Sequence, residues 1–144
     1  MSLQDIISIF LTSITPVLEL RGSMILGWHL GVPWHITIAI SVLGSTLLGI
    51  LAYLLGDIII ILLQHTIPYY ISHLEIKKNN FIKNYEKWGY VALTLFVGIP
   101  LPGTGAFTGA LVAGLLELQP TKTFLSLFLG NLLAALIFSL LFVW

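Results

Sequence analysis

The chain has 144 residues, of which 58% are hydrophobic and 8% charged, with no formal net charge and a mean hydropathy of +1.03. Soluble domains carry about 25% charged residues, so this chain could not cover a water-facing surface, and its long apolar runs make lipid its solvent. Zero net charge offers no basic field for nucleic acid, and the lack of cysteine excludes disulfides, thiolate metal sites and a cysteine nucleophile.

Four apolar blocks follow one another. The first, Leu3 to Leu30, is interrupted at Pro16, Glu19, Arg21 and Gly22. It opens without a preceding Lys or Arg and without a small-x-small cleavage site, which predicts a retained membrane segment rather than a leader. The second, Ile36 to Leu63, is unbroken, with Asp57 near its end. The third, Trp88 to Leu118, is broken at Pro100, Pro102, Gly103 and Gly105, and the fourth runs from Thr123 to Trp144. A bilayer core needs about 20 apolar helical residues, so the second and fourth blocks are predicted to span. Proline removes a backbone donor and unsettles the residue before it. Broken backbone survives in a membrane only inside protein or along a cavity.

The halves resemble each other. A shift of 87 positions lays Gly22 on Gly109, Gly27 on Gly114 and Pro33 on Pro120. Gly/Pro-interrupted segments at matching places in two halves point to a transporter's binding site. Between the halves, the stretch from Pro68 to Trp88 is predicted to be an amphipathic surface helix, with Leu74, Phe81, Tyr85 and Trp88 at helical spacing. Its lysines Lys77, Lys78, Lys83 and Lys87 set that side as cytoplasmic. If the first and third blocks are re-entrant hairpins, Lys122 joins them on the same side and the halves become inverted copies. The N-terminus, the Trp28–Trp34 turn and Trp144 then lie outside.

Ionisable groups deep in an apolar block mark function by default. Glu19 and Arg21, two residues apart, would not face each other on a helix, but in an unwound loop they could point the same way. Arg21 is expected to hold an anionic group, and Glu19 to be a buried, proton-coupling carboxylate. The rival reading is an ion pair or cap that holds the hairpin tip. The second break, Ile99 to Gly109, has no charge. A helix restarting after Gly103 would aim free N–H groups into the membrane's middle, an anion site by geometry and dipole. Gly105 lies at that restart, and Thr104 and Thr108 add hydroxyls. Gly105, Gly109 and Ala113 would equally serve close helix packing.

Asp57 is either an interfacial helix-end residue or a second buried carboxylate. Ser41, Ser45, Gly49, Ala52 and Gly56 form one small-residue stripe, and Ser126, Gly130 and Ala134 another. Asn131 could bond across helices. His29, His35, His65 and His73 show no zinc spacing, and no metal or cofactor is expected. The chain also lacks a nucleophile elbow and a His-Glu-x-x-His pair, which argues against an enzyme.

Two stretches, Pro16 to Gly22 (PVLELRG) and Ile99 to Gly109 (IPLPGTGAFTG), resemble the signatures of the bacterial and archaeal small multidrug export family. The likeness covers nearly the whole chain and implies an exporter in the prokaryotic plasma membrane. The layout is similar, more distantly, to DedA-type membrane proteins. That resemblance implies two inverted re-entrant hairpins, with Glu19 and Arg21 as the first hairpin's acidic and basic sites, and movement of lipid-linked phosphates. The second hairpin departs from it, with Thr104 and Thr108 where those proteins place arginines.

The fold expected is therefore all-α and polytopic, a single membrane domain over residues 1–144. Residues 1–63 and 89–144 form two inverted repeats, each a Pro/Gly-broken re-entrant hairpin followed by a transmembrane helix. Residues 64–88 form a basic cytoplasmic linker. The function expected is transport, by small-molecule export or translocation of a lipid-linked phosphate, through a midplane site built from Glu19, Arg21, Gly103, Thr104, Gly105, Thr108 and Asp57. Membrane lipids, a small amphipathic or anionic substrate, protons and further copies of the chain are the expected partners. The alternative is a membrane scaffold that moves nothing.

Overall fold

A computed structural model of the chain describes residues 2–56, 58, 61–62, 88–101 and 103–142. Asp57, Pro102 and the expected linker up to Lys87 lie outside them. Among the described residues the structure is helical: α1 Leu3–Ser13, α2 Glu19–His29, α3 Trp34–Leu54, α4 Trp88–Gly98, α5 Ala106–Leu115 and α6 Pro120–Phe142.

Local chemistry sets the boundaries. Ser2 and Asp5 form a capping box at the start of α1, with Asp5 N–H donating to Ser2 Oγ at 3.2 Å and Ser2 N–H to Asp5 Oδ2 at 2.5 Å. The helix stops ahead of Pro16, which disfavours helix in the residue before it. Within α1 the hydroxyls of Ser8, Thr12 and Ser13 donate back to carbonyls of the preceding turn, so no bare O–H faces an apolar medium.

The connections after α2 and α5 are built alike. Gly31 N–H donates to Trp28 O and Val32 N–H to Gly27 O; Glu117 N–H donates to Gly114 O and Leu118 N–H to Ala113 O. Both are Schellman turns. Each needs a left-handed residue, Gly31 at φ +68° and Glu117 at φ +52°. Each ends on a buried apolar residue, Val32 or Leu118. These turns and the starts of the long helices that follow correspond at 86 positions, the separation of Ser45 from Asn131. The sequence match at 87 rested partly on Pro33 and Pro120. Pro33 is the residue capping α3 and Pro120 is the first residue of α6. Proline's fixed φ and missing N–H suit either place, so the two prolines are one position out of helical correspondence.

Length divides the helices into two kinds. With 21 and 23 residues, α3 and α6 reach about 32 and 35 Å. They are long and apolar enough to cross a membrane. With 11, 11 and 10 residues, α1, α2 and α5 reach only about 15–17 Å, half a bilayer's hydrocarbon core.

Helix α3 lies at the centre, against α1, α2, α5 and α6. The interior is made of small and polar residues: Ser13, Ser23, Ser41, Ser45, Ala106, Ala110 and Ala113 are all fully buried, whereas Leu43 and Leu54 of α3 and Leu125 and Leu140 of α6 face outward. Large apolar side chains outside and small ones inside is the arrangement expected when lipid is the solvent and backbones must approach closely. Both small-residue stripes fall on the buried side of their helices. At Gly44 a methyl side chain would fall on Ser13 Oγ of α1; at Gly130 it would lie 2.7 Å from Val97 Cβ and 2.9 Å from Thr94 O of α4. Between α3 and α6, Ser45 Oγ donates to Asn131 Oδ1 at 3.2 Å, and Asn131 Nδ2 donates to Thr46 Oγ1 at 3.0 Å. Asn131 is thus the cross-helix bond expected of it.

Candidate functional site: two broken loops joined by Glu19 and Arg21

The first break is the turn from Ile14 to Leu18, and α2 begins with Glu19. The Glu19 N–H donates to Thr15 O at 3.0 Å, and its backbone is left-handed, φ +46°. For a residue with a Cβ that conformation is strained by about 1–3 kcal/mol and persists only where the surroundings enforce it. Glu19 is buried at 7% exposure.

The second break runs from Ile99 to Gly105. Gly103, at φ +83°, makes a bend into open space. Gly105 caps α5 but offers no side chain to its free N–H groups. Glu19 supplies that cap from 88 positions away, its Oε1 accepting the Phe107 N–H at 2.9 Å. A side chain on Gly105 would fall on Glu19 Oε2, so glycine there leaves the seat the carboxylate fills.

Arg21 reaches the same loop one step earlier. Its Nη2 donates to Thr104 Oγ1 at 2.9 Å and to Ile99 O at 3.3 Å. The Thr104 hydroxyl is a junction. It accepts from Arg21 and, at 3.3 Å, from Leu101 N–H, and it lies 2.7 Å from Ile99 O and 2.8 Å from Leu101 O. Having one proton, it donates to one of those carbonyls at a time. Arg21 and Thr104 thereby gather Ile99 O and Leu101 O of the broken loop, which also accept from the Leu101 and Thr104 N–H groups.

Glu19, Arg21, Thr104 and Gly105 therefore meet. The first two do not bond each other; each takes its own group in the opposite loop. The anion site expected at the start of α5 holds the chain's own carboxylate. Gly103 shapes the loop without touching the charges, and the half-buried Thr108 takes no part in the bonds joining the loops. Asp57 lies outside the described residues. The free N–H groups expected at this helix start include that of Phe107, but sequence reasoning did not pair them with Glu19 and did not single out Ile99 O, although a helix start with only glycine at its cap and a buried acid with no nearby donor were both available as signals.

Residues 19–137 match the family model described as "Putative small multi-drug export protein". The chain belongs to this family. The match begins at Glu19 and takes in the whole second loop, so both partners of the junction lie within the matched residues. No curated protein and no solved structure matches the chain, and the comparisons do not extend to DedA-type proteins. Family membership and the two long apolar helices make it a membrane protein.

Proposed function

We propose that this small multidrug export family member is a transporter of the prokaryotic plasma membrane, and that its site is the junction between two re-entrant hairpins, α1–α2 and α4–α5. Half-bilayer helices that turn at a proline support hairpins entering and leaving on one face. The matched turns and long helices support two inverted repeats. In that arrangement both loops lie near the midplane, where repeat-built transporters bind substrate.

The observation that carries the reading is the Glu19 carboxylate seated at the start of α5, where it accepts the Phe107 N–H. A helix start attracts anions, and here the resident anion can be neutralised by a proton. Protonation of Glu19 weakens its hold on the Phe107 N–H and leaves Arg21 and the start of α5 with uncompensated positive charge. An anionic head group then replaces the carboxylate; when the head group leaves, Glu19 releases its proton and reseats. Carboxylate and substrate take turns on the same donors, which couples a proton to an anion. A lipid-linked phosphate suits this site because its tail can stay in lipid. A cationic substrate would be drawn to Glu19 but would meet Arg21 in the same loop. A homo-oligomer would enclose the path that one short chain leaves open.

One observation favours a second reading: Glu19 and Arg21 are both satisfied within the chain. A scaffold whose charges simply lock the hairpins together would look the same at rest. Proteoliposomes separate the two. Wild type and Glu19→Gln are compared for movement of a polyprenyl phosphate and a cationic dye, with and without a pH gradient. Phosphate movement that responds to pH and stalls in a folded Glu19→Gln supports the anion mechanism. Movement of the dye alone supports export of cations, and movement of neither supports the scaffold.

A further inference from the structure

The outer part of the α4–α5 pair contains a cavity unrelated to the Glu19 junction. Near the loops the two helices are in contact. A methyl side chain at Gly109 would lie 2.7 Å from Val97 Cγ2 and 3.2 Å from Leu93 Cδ1. Toward the α5–α6 turn the pair leaves space on its outer side, over the buried Leu93 and Ala113. The opening is a cavity of about 210 Å³ between Gly89, Ala92 and Phe96 of α4 and Val112, Leu116 and Leu118 on the α5 side. Its lining is apolar, and the small Gly89 and Ala92 make the room.

Next in sequence to the lining residues Gly89 and Leu118 are Tyr90 and Gln119, with Lys122 beside the Tyr90 ring. Tyr90 OH accepts the Gln119 N–H at 3.0 Å, which fixes the phenol beside the turn. Lys122 Nζ stands 5.5 Å from the centre of the Tyr90 ring. A cation–π contact of this kind positions the ammonium without using its N–H donors. Trp88, 69% exposed, lies one residue beyond Gly89, and Trp and Tyr favour the level of lipid head groups. An apolar slot running inward from a lysine at an aromatic belt has the charge and shape of one lipid class.

We propose that this groove binds an anionic phospholipid, with one acyl chain between α4 and α5 and the phosphate on Lys122. Glu117, the acid of the same turn, has an interaction of its own. The site is independent of transport at the Glu19 junction, since it uses a different part of the fold.

The test is native mass spectrometry of the full chain released from nanodiscs of equal phosphatidylglycerol and phosphatidylcholine. Retention of one phosphatidylglycerol in preference to phosphatidylcholine is expected. Lys122→Gln should lower that preference about fivefold, the worth of one lysine near a membrane surface. Val112→Trp, which fills the groove from its rim, should reduce retention of both lipids, and Ala92→Leu should do the same from the α4 side. Circular dichroism and an unchanged apparent Tm in detergent for each variant keep loss of lipid distinct from loss of fold. Equal retention of the two lipids by wild type would overturn the proposal. So would full retention in both groove-filling variants, or a photo-cross-linker at Ala92 that captures the chain's own 63–87 stretch instead of lipid.

Discussion

Glu19 and Gly105 form one capping unit from opposite halves of the chain: the glycine omits a side chain where the glutamate's carboxylate is seated. Glu19→Gln keeps an acceptor but loses the charge, and charge-assisted bonds are about twice as strong as neutral ones. A loss of about 1–2 kcal/mol is expected, read as a lower apparent Tm in detergent with helix content retained. Under the proposed coupling, pH-dependent movement of phosphate is lost in the same variant.

Gly105→Ala should have a larger effect than its size suggests. The backbone there, at φ −87°, accepts alanine, so any damage comes from expelling Glu19. Losing a helix cap costs about 1–2 kcal/mol, and a buried carboxylate left without donors adds to that. Gly103→Ala is the control: it meets open space at φ +83° and should cost only the strain of a left-handed alanine, about 1 kcal/mol. Thermal unfolding of the pair decides; equal shifts would remove Glu19 from the account.

The matched turns predict opposite responses. Glu117→Gly relieves a left-handed residue, a gain of about 1 kcal/mol less whatever its own interaction contributes, whereas Gly31→Ala introduces the same strain and should destabilise by about 1 kcal/mol. Both are measured by thermal unfolding.

Asn131 joins Ser45 and Thr46 in the interior between α3 and α6. Asn131→Ala strands two hydroxyls and should cost about 1–3 kcal/mol. A double-mutant cycle with Ser45→Ala should show non-additivity of at least 0.5 kcal/mol, the range for residues sharing a bond.

Gly44→Ala should part α1 from α3 by colliding with Ser13, and Ser13→Gly should restore much of the loss. Gly130→Ala meets the backbone oxygen of Thr94 as well as Val97, so no single side-chain deletion should rescue it. Unfolding of the single and double variants, with cross-linking of introduced cysteines in a background that has none, reads both effects.

Much of this arrangement was legible in the sequence because it follows from local rules. Proline marked where α1 stops, uninterrupted apolar length marked α3 and α6, and small-residue stripes marked the faces that pack. Glu19 and Arg21 stood out because lipid makes charge expensive. The free N–H groups of the restarting helix and the Thr104 hydroxyl stood out as well, but their pairing with the two charges did not, since an 88-residue separation leaves no periodic trace. The turn at Glu117 was hidden for a related reason: a glycine would have announced a left-handed residue, and glutamate does not.

The bond between Ser45 and Asn131 joins positions that correspond in the two halves, at the offset seen in the helix ends. When a symmetry operation exchanges two elements, a point in contact with its own counterpart lies on the axis of that operation. If the halves descend from one duplicated ancestor, this contact began as a residue touching itself in a pair of identical subunits. Fusion of the two copies would have freed each position to change alone, allowing one to become a hydroxyl and the other an amide that bonds to two hydroxyls at once.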